Sequence, residues 1–255
     1  MKKQVYPILE YDETVEAYIN PSLVSDLVAD KVKCDKLVIC FFREAIDRLI
    51  AKGEVQTYVT IPGENTYTFY QFVDTDILLV HGMVGGPLCG GILEEAIAFG
   101  VKKIIFCGGA GSLVHEITAG KLVVVTSAIR DEGMSYHYAP PAREIDANPL
   151  VIEKIACYLK AIGADFTLGK TWTTDAFYRE TKTLVQTRRD EGAIVVEMEQ
   201  AGLIAVAAFR KVEYGAIIYG GDDLANETWD GRIWRSRTDV REKLLLVCKE
   251  IVETL

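Results

Sequence analysis

Histidine is scarce in this chain, with three among 255 residues, and no two of them stand at metal-site spacing. The six cysteines, Cys34, Cys40, Cys89, Cys107, Cys157 and Cys248, form no Cys-x-x-Cys pair. These shortages argue against a structural or catalytic metal. Scattered thiols of this kind read as reduced cysteines of a cytoplasmic protein. Positive charge is also short: 28 Lys and Arg against 37 Asp and Glu leave a net charge of −9. No basic stripe exists, Arg188–Arg189 being too brief, so neither nucleic acid nor an anionic membrane surface is an expected partner. No apolar run reaches the eighteen or so residues of a membrane span. The opening MKKQVYPILEYDE lacks the apolar stretch of a signal peptide. Linker-like, low-complexity and repeated segments are missing too, so residues 1–255 read as one domain.

What is present is a regular alternation of apolar and amphipathic segments. KLVICFF (36–42), DILLVHG (76–82), KKIIFCGG (102–109), KLVVVTSAI (121–129), FTLGKTWTT (166–174) and VEYGAIIYGGDD (212–223) have the length and composition of buried strands. QTYVTIPG and TYTFYQF alternate in polarity like an antiparallel pair. Helical spacing marks REAIDRLIAKG (43–53), GGILEEAIAFG (90–100), NPLVIEKIACYLKAIG (148–163), EMEQAGLIAVAAFRK and the closing TDVREKLLLVCKEIVETL, with Thr238 or Asp239 as its cap. The pattern predicts an α/β fold with a mixed sheet flanked by helices. Folds of this class bind ligands beyond strand ends.

Four strand ends are rich in polar or glycine residues. IIFCGGAGSL (104–113) reads as a strand entering a glycine turn whose N–H groups face outward. VVEMEQAGL carries Glu197, Met198 and Glu199 at a strand–helix junction, where a carboxylate either favours the helix N-terminus or accepts hydrogen bonds from neighbouring hydroxyls. In GGDDLANETW, one of Asp222 and Asp223 caps a turn and the other is a candidate general acid. In TWTTDAFYRET, Thr174 or Asp175 starts a turn, and Phe177 and Tyr178 offer flat faces for stacking on a base.

The succession GGAGSL, IRDEGMSYHYAP, TTDAFY, VVEMEQAG and GGDD resembles the nucleoside phosphorylase superfamily over residues 76–255, with residues 1–75 a diverged part of the same domain. The resemblance implies a single α/β domain around a mixed, partly barrel-like sheet. It implies a homo-oligomer (dimer, trimer or hexamer) acting on a small-molecule nucleoside, with inorganic phosphate as co-substrate and no other cofactor. Position by position, Glu199 corresponds to the carboxylate holding the ribose hydroxyls, with Met198 packing on the sugar and Glu197 beside it. Phe177 corresponds to the base-stacking aromatic, with Thr174 and Arg179 as further base contacts. Asp222 corresponds to the acid that protonates the leaving base and Arg235 to an arginine assisting it. The phosphate region falls on Gly86, Gly108, Gly109 and Ala110.

The family pattern breaks at the phosphate. The strand arginine is replaced by Phe106 and the turn Ser or Thr by Gly109, and no early Gly-Asp-Pro…Arg loop is present. Arg43 and Arg130 are alternative sources of positive charge. Water as nucleophile is the other possibility, with Glu10, Asp12, Glu13 or Glu132 to activate it; a non-catalytic nucleoside binder is a third. The pair that reads a pyrimidine edge in uridine phosphorylases is also missing after Phe177–Tyr178, where Arg179 is the candidate substitute, and the Asp222 position leans towards purines. His81 and His137 read as a structural histidine and a loop residue, each with a possible place at the site rim. Trp229 and Trp234 flank the turn after Asp222 as a lid or as anchors of the last helix.

Overall fold

A computed structural model describes residues 3–232 and 238–255. Two short 3-10 segments, Pro7–Leu9 and Pro21–Val28, precede β1 (Lys36–Cys40), α1 (Arg43–Lys52), β2 (Val55–Ile61), β3 (Tyr67–Phe72), β4 (Ile77–His81) and α2 (Gly86–Ala98). There follow β5 (Lys103–Ser112), β6 (Leu122–Asp131), β7 (Glu144–Asp146), α3 (Pro149–Ala161), β8 (Phe166–Thr174) and α4 (Lys182–Asp190). The chain closes with β9 (Ala193–Glu197), α5 (Gln200–Arg210), β10 (Glu213–Asp223) and α6 (Thr238–Val252).

Local signals explain most boundaries. Helix α1 stops at Gly53, whose φ of 70° is the left-handed conformation glycine adopts without strain. Helix α3 starts with Pro149, and the Asn148 side chain accepts from the Leu150 N–H at 3.0 Å. Alternate residues of the central strands feed opposite cores. Leu37, Ile39, Leu78 and Val80 pack towards α2 and α5 through Ile92, Leu93, Leu203 and Val206. Val38, Cys40, Ile77 and Leu79 pack towards α1, α3 and α6 through Ile46, Leu49, Ile155 and Leu245. Burial on both faces is why these strands are apolar at nearly every position.

The sheet is mixed and partly closed. Five strands form a ring: β10 runs parallel to β5, β5 antiparallel to β9, β9 parallel to β8, β8 parallel to β6, and β6 antiparallel to β10. From β5 an arm of β1, β4, β3 and β2 extends outward, so the segment from Lys36 to Phe72 belongs to the same sheet.

One expectation is corrected here. The GGAGS stretch is not a turn but the second half of β5, whose register against β10 runs unbroken from Lys103 to Ala110. None of its glycines has positive φ. Their smallness serves close packing instead. A Cβ on Gly108 would lie 2.8 Å from the Phe106 ring, and one on Gly111 2.6 Å from Leu224 and 2.9 Å from Val196.

Candidate active site

Strand β5 changes partner along its length. Its first half pairs with β1 as far as Cys40 opposite Cys107, and its end pairs with β9 at Gly111 and Ser112. Between those pairings the edge is open. The Phe41 N–H donates to the Cys107 carbonyl at 3.0 Å, and two residues on, alternation turns the Gly109 backbone to the same edge. A cleft of about 1720 Å³ opens there, at the ends of β5, β9 and β10. Gly109 and Ala110 lie on its wall, whereas Gly108 and Gly86 do not. The expected cradle of several N–H groups at 108–111 therefore reduces to the Gly109 edge.

At the end of β9, Glu197 and Glu199 divide two tasks. Glu197 is buried and its oxygens already hold four protein hydrogen bonds. Oε1 accepts from the Thr171 and Thr173 hydroxyls at 3.0 and 2.6 Å, and Oε2 from the N–H groups of Glu199 and Gln200 at 2.6 and 2.7 Å. It ties β8 and β9 to the first turn of α5, the helix-N-terminal reading of the motif. Glu199 occupies the cap position of α5, is 5% exposed, and accepts the Gly85 N–H at 2.7 Å. Burial pushes its carboxyl up to about 8, with the neighbouring Glu197 charge adding to the rise. Met198 is half-buried between them and lies on the cleft wall.

The two aspartates after β10 separate in the same manner. Asp223 is buried and structural: Oδ1 accepts from Ala225 N–H at 2.7 Å, and Oδ2 accepts from Asn226 at 2.8 Å and pairs with Arg232. Asp222 faces the cleft, and its Oδ2 accepts from the Trp229 indole N–H at 2.7 Å. Phe177 and Tyr178 are exposed on the cleft wall, with their rings 4.0 Å apart. Thr174 is buried behind them, its hydroxyl accepting from Ala176 N–H at 3.2 Å, while Asp175 accepts from Gly133 N–H at 2.9 Å. Neither Thr174 nor Arg179 is on the cleft wall. Arg235 and Trp234 lie outside the described residues.

The opposite side of the cleft is aromatic. Phe106 is buried, with its ring centre 5.1 Å from that of Phe41. Phe41 and Phe42 are themselves part of the wall. Neither arginine suggested by the sequence reaches it. Arg43 pairs with Asp47 at 2.8 Å on the outer surface, and Arg130 is buried against the Ser135 hydroxyl and the carbonyls of Ala139 and Pro140. Asp131 pairs with Arg188 at 3.0 Å, and Glu132 accepts from the Ser135 N–H at 2.9 Å. Glu10, Asp12, Glu13 and Glu132 are all absent from the cleft wall. His81 packs 6.3 Å from the Phe41 ring, burial lowering its basicity, and His137 is exposed in a 3-10 turn away from the cleft.

Three wall residues have no counterpart among the sequence candidates. Arg241 of α6 is 8% exposed; its Nε donates to the Tyr219 hydroxyl at 2.9 Å and its Nη1 to Glu44 at 2.7 Å. Tyr219 in turn lies against Gly109, where a Cβ would be 3.3 Å from its ring. Glu180, just beyond the Phe177–Arg179 turn, has its carboxyl pushed up to about 7 by burial, with the Asp222 charge adding to it. The position of Arg241 in a long amphipathic helix gave no signal. Glu180 stands in the run after Phe177 that contains the candidate Arg179, and it is Glu180 that lies on the cleft wall.

A ring-closed α/β sheet thus carries a carboxylate-rich cleft at its strand ends. The match is specific: the model of the phosphorylase superfamily covers residues 35–254, and the chain belongs to that family. The chain is 28% identical over 147 residues to the guanosine phosphorylase of Halorubrum lacusprofundi, covering 56% of this chain and 59% of that one. The matched part thus spans well under two thirds of that relative. Among solved structures, the uridine phosphorylase of Vibrio fischeri superposes with a TM-score of 0.71 at 22% identity, covering 86% of this chain and 90% of that one. The AMP nucleosidase of Bacteroides thetaiotaomicron superposes with a TM-score of 0.72 at 19% identity, covering 92% and 97%. These likenesses are of fold. No helix of the described residues is long and apolar enough to cross a membrane.

Proposed function

We propose that this chain cleaves the N-glycosidic bond of a nucleoside by phosphorolysis, with purine nucleosides favoured, as a homo-oligomer in the cytoplasm. The observation that carries the reading is Glu199: a buried carboxylate fixed by the Gly85 N–H at 2.7 Å, on the same cleft wall as Phe177 and Asp222. The Glu199 carboxyl is raised to about 8; in its ionised form it accepts from two neighbouring hydroxyls at once, which is what a ribose presents, and those donors favour that form. As the glycosidic bond lengthens, positive charge grows on the sugar, and Glu199 and an anionic nucleophile stabilise it. Negative charge grows on the base, Phe177 stacks on its face, and Asp222, after taking up a proton from solvent, delivers it to the leaving base. Purine preference is supported by Asp222 on the wall and by the guanosine phosphorylase relative. Phosphate is supported by the open Gly109 edge and by the Arg241 guanidinium held beside it through Tyr219. Exposed Tyr18, Ile19 and Leu23 support association between copies.

Hydrolysis is the second reading, and the Phe41–Phe106 pair favours it, because an aromatic wall gives an anion no hydrogen-bond donor. Base release from a nucleoside panel, with and without phosphate, separates the two. Phosphate-dependent release with ribose 1-phosphate is the expected result. Free ribose formed without phosphate replaces phosphorolysis by hydrolysis, and no release of any base overturns the enzymatic reading.

A further inference from the structure

Three glycines meet one methionine behind the site. Gly86 and Gly90 stand about one turn apart on α2, and Gly202 lies in the first turn of α5. Glycine within a helix is destabilising relative to alanine, so its use three times along one seam is a cost the fold accepts. The Met134 side chain accounts for it. A Cβ on Gly90 would lie 2.4 Å from the Met134 Cε, one on Gly86 3.1 Å from its Cβ, and one on Gly202 3.1 Å from its Cγ. The half-buried Met134 thus fills a slot that both helices leave open. Its backbone is pinned from both sides. The Gly133 N–H donates to Asp175 at 2.9 Å, the Met134 carbonyl accepts from the His137 N–H at 3.1 Å, and the Ser135 N–H donates to Glu132 at 2.9 Å. The same two helices begin at the Glu199 carboxylate. Gly85 caps α2 and Glu199 caps α5, and the Gly85 N–H donates to Glu199 at 2.7 Å. That bond joins the two helix starts, so its length follows from how closely α2 and α5 approach each other.

We propose that Met134 is a positioning residue: by filling the slot between α2 and α5 it fixes the Gly85 N–H against the Glu199 carboxylate, and so the aim of Glu199 at the sugar. This deepens the proposed function and rests on it for the task of Glu199. Met134 is not on the cleft wall, so it acts only through the helices. An unbranched thioether suits a slot of this irregular shape. Glu132, whose Oε2 lies 3.6 and 3.7 Å from the Cβ sites of Gly86 and Gly202, closes the slot from the loop side. The titratable groups around Glu199 sit on other elements. Glu197 and Asp175 raise its carboxyl, the Gly85 and Met198 N–H groups lower it, and Cys89 and Tyr214 feel its charge. Met134 is uncharged, so its removal shifts this balance through the Gly85 bond.

The test compares wild type with Met134→Ala and Met134→Leu, and with Gly202→Ala, whose added methyl meets the Met134 Cγ from the α5 side. Urea titration establishes that each variant is folded. Two quantities are then read: kcat and KM for the best substrate of a nucleoside panel, and the titration of the Glu199 carboxyl in the ligand-free protein. The titration is followed by NMR of 13C-labelled glutamate and assigned with Glu199→Gln. Met134→Ala is expected to lower kcat by about ten- to a hundredfold and to change KM less, since a misplacement near 1 Å costs up to that order. It is also expected to move the Glu199 titration to higher pH, because the N–H that favours the ionised form is withdrawn. Met134→Leu keeps Cβ and Cγ in the slot at similar volume and is expected to restore both. Gly202→Ala is expected to move both in the same direction as Met134→Ala, and where Met134→Ala does not fold it decides in its place. A folded Met134→Ala variant with wild-type kcat and an unmoved Glu199 titration overturns the assignment, as does a loss that Met134→Leu does not restore. A wild type that releases no base overturns the proposed function, and the Glu199 titration still decides whether Met134 positions that carboxylate.

Discussion

Two strands that border the cleft end in opposite ways. Strand β9 ends in Glu197-Met198-Glu199, and β1 ends in Phe41-Phe42. At β9 the carboxylate that faces inward is supported by another that faces the protein, so Glu199 can be nearly bare because Glu197 has taken over the helix turn and the threonines. At β1 and the neighbouring β5, ring packs on ring, and Gly108 has no side chain so that Phe106 can lie flat. The lesson is that one end is organised for charge and the other for shape.

Substitutions can break this contrast. The largest effect belongs to Glu199→Ala, for which a loss of about a thousandfold in kcat is expected, at the upper end of losing one preorganised electrostatic partner. Turnover like that of the wild type would remove Glu199 from the site. Next, Asp222→Asn should cost purine cleavage about a hundredfold and pyrimidine cleavage much less, since proton delivery to the base is worth that order. Equal losses on both remove the acid role. On the aromatic side the currency is stability rather than rate. Phe106→Ala should lower unfolding free energy by about 3–5 kcal/mol, the usual cost of emptying a core aromatic. A loss below 1 kcal/mol in denaturant titration would mean that the rings do not form a packed wall.

The smallest effect concerns pH. Glu199 is pushed up to about 8 and Glu180 to about 7 in the folded chain, and burial also raises Glu197. An acid raised on folding contributes stability that is complete below its unfolded value and is lost as pH rises through the folded one. The melting temperature of the ligand-free protein should therefore fall by a few degrees between about pH 5 and pH 8.5, and Glu199→Gln should flatten that slope. A slope unchanged in the variant would show that Glu199 does not carry the burial cost.

Much of this was legible in the chain. Strands covered on both faces announce themselves as apolar runs, and Asn148–Pro149 and Gly53 mark helix ends by their own geometry. The acids at 197–199 and 222–223 were visible as pairs. Which member of each pair faces the cleft depends on the turn that follows, which the acid pair alone does not reveal. The glycines of β5 misled, because glycine for a turn and glycine for close packing spell the same way. Glu180 and Arg241 were hidden for a related reason: a helix flank or a loop charge becomes a cleft residue only through a distant strand, in these cases β10 with Asp222 and Tyr219.

The ring of strands also has a consequence in time. It closes only when β10, at residues 213–223, returns to lie along β5, at residues 103–112. Pairings so distant in sequence form slowly, because a long loop must be ordered before they repay it. During synthesis, β5 must therefore wait with one long edge uncovered until more than a hundred further residues have emerged. The cleft cannot exist in any N-terminal fragment. It is among the last things the chain makes, so a truncated or stalled product would carry the exposed edge without the activity.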